Sequence, residues 1–392
     1  MLSLSRAMRR ATRLTRSGKL LDATSTIQKA LGATPKRSRT KSATKRAVGK
    51  PAIARGKAKP TTKRTAKGAN KGANKGTTKR TEGFAMPTLR PMPNLAAPLV
   101  APTRPSARAR VKRAAPAPRV PEGARFVWRS HSGSEGTRRY RLYVPARPPK
   151  GERPLLVMLH GCTQGADDFA RGTRVLEAAE RHGMLVALPE QDRSANAMAC
   201  WNWFEPAHQT AERGEPAILL AIIRNVAARH DVDRGRVFVA GLSAGGAMAA
   251  VLGATAPDLF AGIGVHSGLP YRAASDLSSA MRAMRSGPSR RTAAPVRSDA
   301  PRLFVAHGTA DGTVSPRNAD ALVGAAGVGD TQSERQGRVG ITRIVRDGRT
   351  TVEDWRIAGL GHAWSGGAPG ASYTAPDGPD VTDAMVRFFL EK

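Results

Sequence analysis

The chain has 392 residues and a formal charge of +34, from 64 Lys and Arg against 30 Asp and Glu. Its two cysteines are too few for a disulfide framework or a structural zinc site, and without an apolar run of 18 residues no transmembrane helix is expected. The charge is uneven: residues 1–120 hold 31 Lys and Arg against Asp22 and Glu82, a net +29, which leaves +5 for the remaining 272 residues.

The start, Met1 to Arg6, is basic but lacks the continuous apolar stretch of a secretory signal, although Arg-rich, acid-poor starts also occur in transit peptides. Over residues 1–32, Met8, Ala11 and Leu14 recur at helical spacing before a Ser17-Gly18-Lys19 break, and Leu20, Leu21, Ile27 and Leu31 follow it. The pattern predicts a short amphipathic helical hairpin. Residues 33–122 are rich in Lys, Arg, Ala and Pro, with Gly68 to Lys71 repeated as Gly72 to Lys75. Such a segment buries too little apolar surface to offset its ordering entropy and is predicted to be a disordered basic tail. A tail of this charge would attract polyanions through residues 1–120: nucleic acid, or an anionic granule or membrane surface. It has almost no aromatics to stack on bases, so sequence-specific recognition is not expected, and a solubilising tether is the plainer reading.

From residue 123 the composition is that of an ordinary core, and residues 123–392 read as one catalytic domain. Residues 125–130 and 139–144 alternate like an opening β-hairpin. Apolar strands then alternate with helices. Strand 155–159 precedes helix 167–183, 184–188 precedes 214–230, and 237–240 precedes 244–256. Strand 263–266 precedes the stretch 272–285, 303–307 precedes 317–326, and 351–358 precedes 380–391. This order predicts an α/β fold of the α/β-hydrolase kind, a mostly parallel sheet with helices on both faces.

The chemistry gathers at the ends of those strands. Gly241-Leu242-Ser243-Ala244-Gly245 has a buried strand entering and an Ala-rich helix leaving, the context in which Gly-x-Ser-x-Gly is a nucleophile elbow. A serine hydroxyl needs an imidazole base, itself oriented by a carboxylate, and in this fold they follow in the order Ser, acid, His. Of the histidines after Ser243, His266 and His307 end apolar strands, where a packed role is commoner. His362 lies in the glycine-rich loop Gly359 to Gly367 and is the expected base. Asp311 follows strand 303–307 at its carboxyl end and is the expected acid; the competing reading is a turn aspartate capping the next helix, for which Ser315 before Pro316 is the better cap. Asp320, Glu353 and Asp354 fall inside a helix or strand. The oxyanion of an acyl intermediate would be held by the backbone N–H groups of Ala244 and Cys162.

Several further motifs share this register: His160-Gly161-Cys162-Thr163-Gln164, Cys200-Trp201-Asn202-Trp203-Phe204, His266-Ser267-Gly268, His307-Gly308-Thr309-Ala310-Asp311 and Gly361-His362-Ala363-Trp364-Ser365-Gly366-Gly367. Together they resemble the poly(3-hydroxybutyrate) depolymerase family of esterases, relatives of feruloyl and acetylxylan esterases, over about residues 125–391. The resemblance implies hydrolysis of a carboxylic ester through an acyl-enzyme by Ser243, Asp311 and His362. It also implies a disulfide between Cys162 and Cys200; two reduced, buried cysteines are the alternative.

Trp201, Trp203 and Trp364 are candidate substrate-binding walls, with core packing as the competing role, and residues 272–300 read as a lid or a surface excursion. Secreted polymer-degrading members carry a signal peptide and often a polymer-binding domain after the catalytic one. Neither is expected here, which leaves cytoplasmic or granule-associated placement on the sequence and extracellular placement on the resemblance. Poly- or oligo(3-hydroxyalkanoate) esters are the expected substrates. The alternatives are a carbohydrate esterase and a polyanion-binding protein with a scaffold hydrolase domain. No metal cluster or phosphate loop is visible, and serine esterase chemistry requires no cofactor.

Overall fold

A computed structural model describes residues 117–147, 151–289 and 300–391. The predicted hairpin at 1–32, the predicted tail up to residue 116 and residues 290–299 of the predicted lid lie outside the described residues.

Ten strands form one sheet. β1 (Arg125–Gly133) and β2 (Gly136–Val144) pair antiparallel as predicted. β3 (Arg153–Leu159), β4 (Leu185–Pro189), β5 (Val232–Leu242), β6 (Gly262–His266), β7 (Arg302–Gly308) and β10 (Arg349–Ile357) form the parallel centre. The order is β1-β2-β4-β3-β5-β6-β7-β10-β9-β8, the α/β-hydrolase arrangement. The last two positions belong to an antiparallel hairpin that the sequence reading missed, β8 (Asp330–Gln336) and β9 (Val339–Arg346).

Side chains of the central strands alternate between two cores, as a pleated strand requires. Leu155, Val157 and Leu159 of β3 and Val237 and Val239 of β5 pack on one face. Leu156 and Met158, with Phe238, Ala240 and Leu242, pack on the other. The first face is covered by α3 (Gly214–Arg229) and α4 (Ala244–Thr255), the second by α1 (Ala166–Thr173), α2 (Val175–His182) and α7 (Val381–Leu390).

Two predicted helices are corrected. The stretch 167–183 is two helices, because Arg174 adopts a left-handed conformation (φ 56°) that ends α1 and starts α2. The break turns Phe169 and Ala170 before it, and Val175, Leu176 and Ala179 after it, into the same core. The stretch 272–285 is helical only in α5 (Leu277–Ser286), where a capping box fixes the start: the Asp276 carboxylate accepts from Ser279 N–H at 2.8 Å and Ser279 Oγ accepts from Asp276 N–H at 3.1 Å. The helix α6 (Arg317–Ala325) completes the α-helices of the described residues. No described helix is long and apolar enough to cross a membrane.

Candidate active site

Ser243 sits between β5 and α4 with φ 57° and ψ −118°, a backbone region that non-glycine residues rarely occupy. The turn is that tight because strand and helix must pass within backbone contact of β3. A Cβ on Gly245 would stand 2.7 Å from the His160 carbonyl oxygen and closer still to that of Leu159. The elbow therefore needs glycine at this position for space as well as for flexibility. The β6 ladder anchors it, through Ser243 N–H donating to the His266 carbonyl at 2.9 Å.

Asp311 and His362 meet directly. His362 Nδ1 lies 2.8 Å from Asp311 Oδ2. A carboxylate at Nδ1 selects the tautomer protonated there and leaves Nε2 as the lone-pair nitrogen. The other carboxylate oxygen, Oδ1, accepts from the backbone N–H groups of Thr313 and Val314, each at 2.9 Å. His307 Nε2 approaches Oδ2 at 3.3 Å and the Val314 carbonyl at 2.9 Å. That carbonyl can only accept, so Nε2 carries the proton and shares it with the carboxylate. Burial alone would push the Asp311 carboxyl up, but the hydrogen bonds from His307, His362 and Val314 N–H outweigh it and hold the group well below the ordinary carboxylate range. Asp311 is thus a fixed anion at neutral pH. The competing reading of Asp311 as a helix cap does not apply: the backbone N–H groups it accepts from lie in its own turn.

His266 is fully buried beside this pair. Ser365 N–H donates to its Nε2 at 3.3 Å, so its proton is on Nδ1, facing Ser267 Oγ at 3.2 Å, and its ring stacks on Trp364 at 4.9 Å. Burial first, then the neighbouring His307 and His362, drive its pKa down to about 3. His266 therefore ties the loop after His362 to the strand beside Ser243 and stays neutral. The Ser243 hydroxyl itself makes no hydrogen bond to a described residue; nucleophile–base contacts are commonly long in unliganded sites and tighten with substrate.

Cys162 follows β3 and is disulfide-bonded to Cys200, with Cα atoms 4.2 Å apart. The loop is fixed from several sides. Gly161 N–H donates to Gln164 Oε1 at 2.9 Å, Thr163 N–H to the Met198 carbonyl at 2.7 Å, and Trp201 Nε1 to the His160 carbonyl at 3.1 Å. Beneath it the fully buried His160 faces the Gly161 carbonyl through Nδ1 at 2.8 Å and accepts from Gln191 N–H at 3.0 Å. Among the described residues, neither Cys162 N–H nor Ala244 N–H has an acceptor, and both remain available to an oxyanion.

The three tryptophans expected as pocket walls are core residues instead. Trp201 and Trp364 are about 0–1% exposed, with Trp364 Nε1 donating to Thr382 Oγ1 at 2.9 Å, and Trp203 is 5% exposed and packs edge-on against Phe204. Their apolar area is already used by the fold. The aromatic at the site that sequence reasoning missed is Tyr373, whose ring meets His362 edge-on at 6.3 Å and whose hydroxyl lies 3.4 Å from Thr163 Oγ1. Its segment pairs β12 (Thr374–Ala375) with β11 (Trp364–Ser365), so Tyr373 bridges the base loop and the oxyanion loop.

Two outcomes follow from this shell. In the unfolded chain His266 titrates near its ordinary 6.5, whereas in the fold it resists protonation down to about 3. Between those values the unfolded state binds more protons. The stability is therefore fully present above pH 6.5 and is lost on acidification, with a slope of up to about 1.4 kcal/mol per pH unit from this group. The depressed Asp311 carboxyl adds loss of the same sign below about pH 3.8. Urea unfolding at pH 7 to 4 should show this slope, and His266→Gln should remove one proton's worth of it. Second, replacing both Cys162 and Cys200 with alanine opens a 38-residue loop and should cost up to about 4 kcal/mol of unfolding free energy, read in the urea midpoint.

Comparison with known proteins is consistent with this geometry. The family model described as Esterase PHB depolymerase matches residues 138–343, which hold Ser243 and Asp311 but stop short of His362. A poly(3-hydroxyalkanoate) depolymerase C of Paucimonas lemoignei is 34% identical over 238 residues, covering 56% of this chain and 57% of that protein. A feruloyl esterase B of Neurospora crassa is 28% identical over 194 residues, 45% of this chain and 65% of that one. The chain thus spans somewhat more than half the length of these relatives. An acetyl xylan esterase from Aspergillus awamori superposes with a TM-score of 0.53 at 20% identity, over 67% of this chain and 98% of that chain, and shows the shared fold.

Proposed function

The chain belongs to the esterase PHB depolymerase family of carboxylic ester hydrolases, and from that premise we propose that it is a serine esterase acting on poly- or oligo(3-hydroxyalkanoate) esters. The observation that carries the chemistry is the buried Asp311–His362 pair held on the same sheet edge as a strained serine elbow. Ser243 Oγ attacks the ester carbonyl while His362 Nε2 takes its proton, and the Asp311 anion stabilises the imidazolium. The N–H groups of Cys162 and Ala244 receive the oxyanion. Collapse expels the alcohol, which takes the proton from His362, and a water activated by the same nitrogen then releases the acid.

The substrate class rests on the depolymerase relative at 34% identity. The feruloyl and acetylxylan esterase relatives support the second reading, a carbohydrate esterase. Turnover of 3-hydroxybutyrate oligomers against methyl ferulate and acetylated xylan separates the two. The proposal holds if the oligomers give the highest kcat/KM and fails if either carbohydrate-type ester does.

The basic residues 1–120 are proposed as a polyanion tether, on their net charge of +29. Deleting them should abolish retention on DNA at low salt, and retention by the full chain should vanish at high salt. Retention that persists after the deletion would place the anion-binding surface elsewhere.

A further inference from the structure

A groove of about 580 Å³ opens beside the loop after β3, running from Thr163 and Gln164 to the inner side of the β1–β2 hairpin. Three arginines line it. Arg139 pairs with Glu190, and Arg193 Nη1 donates to the Ala197 carbonyl at 3.2 Å. The third, Arg138, is 6% exposed, and its buried Nε has no partner. Among the described residues Arg138 makes no side-chain hydrogen bond and no ion pair.

The local carboxylates do not relieve this. Glu215, buried beneath the groove, is already occupied by Asn202 N–H at 2.7 Å, by Asn202 Nδ2 at 2.8 Å and by Gln191. Glu190 is taken by Arg139 and by Ala166 N–H at 2.9 Å, and Asp192 by Ser194 N–H at 2.7 Å. Glu215 and Asp192 act on Arg138 only across space, opposing the burial that disfavours its charge. A buried guanidinium without an acceptor is costly, and its planar fork matches a carboxylate. Glu190, Asp192 and Glu215 match the three arginines in number, but each already has its own donors, and the Arg138 guanidinium is left without an acceptor for an incoming anion to fill.

Position gives the anion a role. The groove begins at Thr163, the residue after Cys162, whose N–H is the oxyanion donor in the function proposed above, on which this inference rests. Ser243, Asp311 and His362 do not line the groove, so a substrate with its scissile carbonyl at Cys162 N–H would reach it by passing Thr163 and Gln164. In a linear 3-hydroxyacyl oligomer the free carboxylate lies on the alcohol side of every ester bond. We propose that the groove holds the leaving alcohol and that Arg138 binds its free carboxylate, so that the enzyme recognises hydroxy-acid esters from their carboxyl end.

The test uses the full chain carrying Ser243→Ala, so that nothing is turned over, and calorimetric titration with linear 3-hydroxybutyrate trimer as the free acid and as its methyl ester. At pH 7 the acid should bind about tenfold tighter than the ester or better. Adding R138M should bring the acid down to the ester's affinity and leave the ester where it was, and R138K should keep part of the preference. Equal binding of acid and ester without any change at Arg138, an equal loss of both in R138M, or no binding of either overturns the proposal. An acid preference that persists unchanged in R138M also overturns the proposal. If R138M fails to fold, which its melting curve would show, R138K and R138Q are read in its place, an unchanged preference in both overturning it. If the enzyme with Ser243 intact cleaves methyl ferulate but not the trimer, the depolymerase-like reading fails by itself, and the binding data still judge the groove.

Discussion

Ser243→Ala should lower kcat on p-nitrophenyl butyrate by about a millionfold, with little change in melting temperature. The size follows from the loss of the attacking atom, because His362 and Asp311 have nothing to activate without Oγ. The small effect on stability follows from the backbone. The φ of 57° at this position is imposed by the fit of β5 and α4 against β3 and not by the serine side chain, and alanine tolerates the region no worse. The Ser243 hydroxyl has no hydrogen bond to lose among the described residues, so its removal leaves no orphaned partner. A kcat near that of the unaltered protein would end the assignment of Ser243 as nucleophile. Gly245→Ala is the converse case: it leaves Oγ in place but drives a methyl group into the Leu159 and His160 carbonyls, so it should damage folding before it damages chemistry.

Much of this centre is legible in the sequence because it is written in short range. The strand, the Gly-Leu-Ser-Ala-Gly turn and the small-residue helix lie in one continuous stretch, and their mutual crowding dictates the residue types. His362 and Asp311 are legible by chain order, since parallel strands deliver their carboxyl ends to one edge. What lies behind them is not. His307 and His266 read as strand-end histidines, and only the parallel pairing of β6 with β7 brings them beside Asp311 and the loop after His362. Tyr373 lies in a polar run without periodicity, and its place is set by a two-residue pairing with β11. The tryptophans misled because an indole suits a pocket wall and a core equally, and composition does not say whether a loop turns it outward or into the core. β8 escaped notice because all seven of its residues are exposed, which removes the alternation that marks a strand; its ladder to β9 holds it, and β9 is anchored by the buried Val339, Ile341 and Ile344.

Asp311→Asn should lower kcat by about ten-thousandfold while leaving the site assembled. The substitution keeps the shape and removes the charge. An asparagine oxygen can still accept from Thr313 and Val314, as Oδ1 of Asp311 does at 2.9 Å. The amide nitrogen then faces His362 Nδ1 and His307 Nε2, where the aspartate places an oxygen. An N–H donor aimed at Nδ1 selects the His362 tautomer protonated at Nε2, the nitrogen that must take the Ser243 proton, so the base is blocked. His307 is left with the Val314 carbonyl as its one acceptor. Two readouts separate this from simple unfolding. Stability should fall by only about 1–3 kcal/mol, the cost of losing charge-assisted bonds in a buried site. The loss in kcat should ease at high pH, where hydroxide can do part of the work of the missing base. If the variant keeps kcat within a few fold, Asp311 is not the orienting acid. The buried carboxylates Glu353 and Asp354 would not take its place, since both lie in β10 and are engaged by Arg343 and Arg356.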